Sequence, residues 1–292
     1  MGNPHALGVP CSRPDQLAGL DTLLGLSWRQ QQAGPRVVAL VPAHNEAASI
    51  ARTIESLRRQ SRPPDEITVI CDNCTDGTAE LSMLNRASIF ETVGNTAKKA
   101  GALNQVLRLA LPQLDHDDLV LLMDADSRLS RHWIKTAIQF IGSGKCDAVC
   151  GAFYGEPGGG LVGQLQQNEF IRYARTVRRR AQVPVLSGTG TLFKVGVLRE
   201  IARARGRRIP GRHGDWYSVS SITEDNEITL ATKSLGFRCL CPPGCDTFTE
   251  VMPTWRDLFK QRIRWQDLST CGLPQRCPHT GQPPTLTGNH TA

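Results

Sequence analysis

No stretch of this sequence approaches the roughly 18 to 20 uninterrupted apolar residues that a membrane-crossing helix needs, and the N-terminus lacks the basic-then-apolar layout of a signal peptide. The default location is therefore the cytoplasm. Aromatic residues are scarce, at 5%. No pair of CxxC units falls at ribbon or finger spacing, which argues against a structural zinc even though Cys71/Cys74 is a CxxC. Two further groups, Cys239/Cys241/Cys245 and Cys271/Cys277/His279, also cluster. The ten cysteines are scattered through a chain large enough to stabilise itself by burial, so they are expected as reduced thiols. The glycine-rich EPGGGLVG, 156–163, lacks the GxxxxGK[ST] order of a nucleotide P-loop and is expected to be a flexible connector.

What is present is enough for a core: 292 residues with 40% hydrophobic content, which suits one large domain or two small ones. The net charge of +7 is uneven, because 172–212 holds twelve Lys or Arg against the single acid Glu200. Such a stretch fits an anionic partner or, more commonly, a solvated face. Nucleic acid is not expected, since only Tyr173 and Phe193 fall within the stretch and stacking on bases has little support.

The pattern from Arg36 onward alternates strand and helix. RVVALVP, 36–42, is a continuous apolar strand, and a helix follows with Asn45 or Ser49 as its cap. EITVIC, 66–71, is the second strand, and the loop CDNCTDGT behind it supplies acceptors at a strand's carboxyl end. A third strand is read at 88–93. The helix that follows opens near Lys98 or Lys99, which suits phosphate. LVLLMDADS, 119–127, is an apolar strand ending at Asp124 and Asp126. At that edge of an α/β sheet paired carboxylates are placed to hold a divalent cation; a plain turn is the alternative. Further on, 147–154 reads as one strand. The stretch 163–181 reads as a helix burying Leu165, Phe170, Ala174 and Val177. LSGTGTLF, 186–193, places small residues where a backbone must approach something closely. Glu224 and Asp225 open a helix with Thr223 as cap, where acids are often only dipole partners. The order predicts an α/β fold, a doubly wound mostly parallel sheet with helices on both faces. Domain bounds are expected at 1–35 (a lead-in helix near Gln16–Gln32), 36–268 (the main domain) and 269–292 (a disordered tail).

VPAHNE, DNCTDGT, KAGALN, the DAD carboxylates, the TED triplet 223–225 and QRIRW, 261–265, occur in order between Arg36 and Trp265. Together they resemble the family-2 inverting glycosyltransferases of the GT-A fold, in the branch of the cellulose, hyaluronan and poly-N-acetylglucosamine synthases. The resemblance implies a metal-dependent hexosyltransferase using a nucleotide sugar, UDP-linked in this branch. It places Ala43, Glu46 and Asp72 in the uridine pocket, Lys99 near the diphosphate, Asp124 near ribose and metal, and Asp126 on a Mg2+ or Mn2+ ion. Asp225 becomes the general base, with Glu224 its neighbour. Gln261, Arg262, Arg264 and Trp265 meet the leaving diphosphate and the acceptor.

Members of that branch surround the catalytic domain with transmembrane helices, and this sequence has none before Arg36 and stops 27 residues after Trp265. Processive extrusion through the same polypeptide is therefore not expected. The partners expected are a sugar or lipid-linked acceptor in surface polysaccharide or glycolipid synthesis, and a peripheral contact with the inner face of the membrane or a membrane partner subunit. A catalytically inactive or truncated nucleotide-sugar-binding relative is the alternative, distinguished by donor binding without transfer.

Overall fold

The computed structural model describes residues 34–179, 183–221 and 223–266. The expected lead-in helix, the tail and the Cys271/Cys277/His279 cluster lie outside the described residues, as does the side chain of Arg264.

The strands are β1 (Val37–Ala43), β2 (Glu66–Cys71), β3 (Ser88–Glu91), β4 (Leu119–Leu122), β5 (Ser127–Leu129), β6 (Ala148–Cys150), β7 (Ala152–Gly155), β8 (Thr191–Lys194), β9 (Cys239–Leu240) and β10 (Asp246–Thr249). The helices are α1 (Ile50–Arg58), α2 (Thr78–Leu84), α3 (Lys98–Ala110), α4 (Trp133–Gly142), α5 (Gly160–Arg179), α6 (Val195–Ala204), α7 (Glu224–Ser234) and α8 (Trp255–Gln266). A seven-stranded sheet runs β3-β2-β1-β4-β8-β6-β9, and a three-stranded sheet runs β5-β10-β7. The first four strands of the large sheet are parallel, and β8 is inserted antiparallel between β4 and β6.

Successive residues of a strand face opposite sides of its sheet, so an unbroken apolar run needs cover on both. Val38 and Leu40 of β1 pack with Leu103 and Leu107 of α3, whereas Val37, Ala39 and Val41 pack with Ile50, Ile54 and Leu57 of α1. Val120 and Leu122 of β4 join the first group, and Leu119, Leu121 and Met123 the second. The doubly covered sheet follows directly from those two runs.

Four local expectations are corrected. The stretch 147–154 is two strands in different sheets, broken at Gly151. A Cβ there would lie 2.1 Å from Thr247 Oγ1 and 2.8 Å from Trp133 Nε1, so the sheets part where only glycine fits. EPGGGLVG is no mere connector, because α5 begins at Gly160. Leu165 of α5 is exposed, and the buried stripe is Val162, Gln166, Phe170, Ala174 and Val177. Gln166 takes a core place because its amide donates to Met252 O at 2.9 Å and accepts from Met252 N at 3.1 Å, acting as a strand's backbone would. Neither Asn45 nor Ser49 caps α1 through its side chain. Asn45 adopts φ 58° and accepts from Thr75 N, while the Ser49 hydroxyl donates to Glu46.

The basic stretch is likewise not one face. Arg205 is fully buried, Arg199 donates to Leu111 O and Leu114 O, and Lys194, Arg178 and Arg208 pair with Asp147, Asp246 and Glu200. Among the described residues no helix is long and apolar enough to cross a membrane.

Candidate active site

The carboxyl ends of β1, β2 and β4 lie side by side, and the loops leaving them are stitched together by side chains. Behind β1, Glu46 N donates to Thr78 Oγ1 at 2.8 Å and Ala47 N to Asp76 Oδ2 at 3.0 Å, joining the β1 loop to the β2 loop. Asp72, at the end of β2, is buried, and its Oδ1 accepts from Asn73 Nδ2, Thr92 Oγ1 and Asn95 Nδ2 at 2.7–3.0 Å. Ala43, Glu46 and Asp72 therefore form one ordered rim. Asn95, which also accepts from Ala97 N at the start of α3, is a holding residue the motif reading did not single out.

Asp124 and Asp126 sit where β4 leaves the large sheet for β5 in the small one. Ser127 N donates to Asp124 O to form the turn, and Thr53 Oγ1 fixes Ala125 O at 2.6 Å. Asp126 has no cationic partner among the described residues. Burial first, then the charges of Asp124 and Glu46, push its carboxyl up to about 7. Uncompensated negative charge on a sheet edge is the donor set of a hard divalent cation. No group of three or more His, Cys, Asp or Glu among the described residues is placed to hold a metal alone. Two carboxylates completed by phosphate oxygens are the ordinary arrangement for Mg2+.

Lys99, in the first turn of α3, is where the carboxylates converge. Its Nζ lies 2.6 Å from Asp124 Oδ1, 2.6 Å from Glu224 Oε1 and 3.8 Å from Asp225 Oδ1. Burial alone would lower its pKa, but the three acids together raise it well above the usual ammonium range. The resemblance implies Lys99 near the diphosphate; in the structure it is the common counter-ion of the three acids.

Asp225 opens α7 and accepts from Gly188 N at 2.9 Å, while Gly188 O accepts from Asp124 N at 2.9 Å. One glycine thus holds both carboxylate-bearing segments. A Cβ on it would lie 2.7 Å from Lys99 Nζ and 2.8 Å from Asp225 Oδ2, which is the close approach that LSGTGTLF foreshadowed. Below, Thr229 Oγ1 donates to Asp225 O and accepts from Leu186 N, docking segment 186–188 on the helix. A pocket lined by Leu103, Phe193, Tyr217 and Ile228 reaches Lys99 and Asp225. Burial pushes Asp225 up to about 7, against the lowering pull of Lys99. Burial also raises Glu224, but Lys99 outweighs it and holds that carboxyl below its ordinary value. The two neighbours are therefore driven apart, Asp225 raised toward neutral and Glu224 kept ionised.

Among the described residues, Gln261, Arg262 and Trp265 make no hydrogen bond or ion pair with this cluster. Arg262 pairs with Glu169 at 2.5 Å and stacks 4.4 Å from the Trp265 ring centroid, and Gln261 Oε1 is buried with no partner among the described residues. Missed by the sequence reading is the frame behind Tyr217. Asn104 Oδ1 accepts from Trp216 N and Tyr217 N, and its amide donates to Tyr217 O. A lone asparagine inside an apolar helical stripe was the available signal.

A family model described as Glycosyl transferase family 2 matches residues 38–202, more than half the chain. The probable glycosyltransferase YdaM of Bacillus subtilis (strain 168) is 26% identical over 258 residues, covering 82% of this chain and 56% of its own length. The poly-beta-1,6-N-acetyl-D-glucosamine synthase of Staphylococcus aureus (strain COL) is 26% identical over 240 residues, covering 78% and 53%. The chain thus spans about half the length of these curated relatives. Among solved structures, the mannosyltransferase PcManGT from Pyrobaculum calidifontis in complex with GDP-Man and Mn2+ superposes with a TM-score of 0.60 at 20% identity, covering 87% of this chain and 68% of that one. S. aureus TarS 1-349 in complex with UDP-GlcNAc gives 0.54 at 17% identity, covering 82% and 68%. At these identities the likeness shows the fold, and that fold is the GT-A fold of glycosyltransferases. On the family match across more than half its length, this chain belongs to glycosyl transferase family 2.

Proposed function

We propose that the protein is an inverting transferase that moves a sugar from a UDP-linked donor to an acceptor hydroxyl, in surface polysaccharide or glycolipid synthesis. The observation that carries this reading is the placement of Asp225: a carboxyl poised near 7, fixed by Gly188 N and linked through Lys99 to Asp124. Inversion needs a base on the acceptor side and charge stabilisation on the donor side. Asp225 takes the acceptor proton. Ala43, Glu46 and Asp72 form the nucleotide rim, and Lys99 approaches the diphosphate while countering the charge of the carboxylates. Asp124 and Asp126 would hold Mg2+ or Mn2+, which when bound supplies positive charge to the departing diphosphate. Gln261, Arg262, Arg264 and Trp265 belong to the acceptor and diphosphate side in this reading. Incubating UDP- and GDP-sugars singly with the protein and Mn2+ tests it: release of UDP from one UDP-sugar is expected. Turnover confined to GDP-sugars, or none with any donor, contradicts it.

The acceptor is a sugar or lipid-linked sugar reached from an anionic membrane surface. Supporting this, Leu161 and Leu165 of α5 and Trp255 and Phe259 of α8 are exposed at 68%, 47%, 60% and 66%, alongside exposed Arg172 and Arg175. Apolar and basic side chains together suit a lipid interface. The protein should sediment with phosphatidylglycerol vesicles at low salt and release as salt rises, whereas no binding at low salt contradicts the docking alone.

A further inference from the structure

The thiols outside the site form a second arrangement of interest. Strands β6 and β9 run parallel with Ala148 opposite Cys239 and Val149 opposite Leu240 at the edge of the large sheet, and continuing that register one residue past the end of β9 sets Cys241 opposite Cys150. Neighbouring strands lie ~4.8 Å apart, inside the Cα window of ~4.4–6.8 Å that a disulfide requires. Each thiol acts on the other's ionisation, Cys150 being held above the ordinary thiol range and Cys241 below it. Cys150 is 1% exposed, whereas Cys241 is half-buried.

We infer that Cys150 and Cys241 are an oxidisable dithiol, a modification site at which a peroxide closes a disulfide across the sheet edge. The chemistry separates the two roles. The Cys150 thiol, and secondarily Arg178 of α5, hold Cys241 below the ordinary thiol range against the opposing effects of burial and Asp246. Burial pushes Cys146 up to about 11 and Cys239 up to about 12, and raises Cys245 as well. Thiolate character decides which cysteine reacts. The Cys241 thiolate attacks a peroxide oxygen; the O–O bond breaks, one oxygen leaves as water after protonation, and Cys241 becomes a sulfenic acid. The Cys150 sulfur then attacks the Cys241 sulfur, giving up its proton as the S–O bond breaks and a second water departs. Two thiols lose two electrons and the peroxide gains them. Cys150 Sγ also lies 3.9 Å from Val185 O, at the start of the segment that leads to Gly188.

The CxxC of Cys71 and Cys74 is the weaker candidate, because burial pushes Cys71 up to about 12 and Cys74 Sγ lies 3.4 Å from Ala43 O inside the nucleotide rim. The test treats the full chain with hydrogen peroxide, blocks remaining thiols with N-ethylmaleimide in denaturant and maps the unreduced digest by mass spectrometry. A peptide linking Cys150 to Cys241, released by dithiothreitol and absent in Cys241→Ser, is expected. In the untreated protein, iodoacetamide should modify Cys241 roughly tenfold or more faster than Cys146, Cys239 or Cys245. Sulfinic acid on Cys241 with Cys150 still open to N-ethylmaleimide overturns the pairing, as does a link from Cys241 to another cysteine or no oxidation of either. Should Cys241→Ser fail to fold, the peptide map of the unsubstituted chain decides the matter.

Discussion

At Asp126 the structure turns position into a measurable charge. Its carboxyl has an ordinary value of 3.8 in an open chain and about 7 here. Between those values the folded state binds more protons than the unfolded one, so this group's contribution to stability declines as pH rises through that window. Metal-free protein should therefore lose melting temperature between about pH 4 and 7 relative to Asp126→Asn, and Mn2+ should restore it most at the alkaline end. Thermal melts of both proteins at pH 5 and pH 8 check this; parallel curves for the two would contradict it. Gly188 makes a second residue-scale case. The atoms a Cβ would strike are the ends of the Lys99 and Asp225 side chains, which give way without unfolding the chain. Gly188→Ala should leave the melting temperature nearly unchanged while lowering turnover by about 10², the scale of a small misplacement of reacting groups. Equal turnover at equal stability would remove Gly188 from the positioning role.

Among elements, α7 matters because it carries Asp225, and it is anchored from behind. Arg205, fully buried at the end of α6, pairs through both terminal nitrogens with Glu227 of α7 and donates to Pro210 O and Trp216 O. Glu227 also accepts from Ser218 N at 3.1 Å. Removing one partner of a buried pair leaves the other charge uncompensated. Arg205→Met should therefore cost about 3–5 kcal/mol in urea unfolding, and a loss below about 1 kcal/mol would show that the pair contributes little. Nothing in the one-dimensional pattern marked this arginine, since it sits among eleven other basic residues and composition cannot tell a buried guanidinium from a solvated one. The same blindness misplaced Leu165. Periodicity sees apolarity, whereas the core position went to Gln166 because Met252 offered both a donor and an acceptor. By contrast β1 and β4 were legible, because a run apolar on both faces has few places to go other than the middle of a covered sheet.

Across the whole molecule, the alternation of strand and helix through β4 reads directly as the parallel half of the large sheet, and the motifs at the strand ends fall on its carboxyl edge. The later half was harder to read. It mixes parallel and antiparallel pairings, divides one apolar stretch between two sheets at Gly151, and brings Gly188 and Asp225 together from 37 residues apart. Such contacts are set by topology, which local pattern does not encode. The motif residues were found as types, but their joint geometry was not: Lys99 emerged as the shared counter-ion of Asp124, Glu224 and Asp225. That geometry carries the central claim, that Asp225 takes the acceptor proton while the nucleotide is held elsewhere. The most direct test measures UDP affinity by calorimetry in Mn2+ and sugar transfer side by side in the unsubstituted protein and in Asp225→Asn. Asparagine keeps the size and the acceptor for Gly188 N but cannot take the proton, so transfer should fall by about 10² to 10⁴ with UDP affinity nearly unchanged. Near-full transfer, or UDP affinity lost in step with transfer, would contradict the assignment.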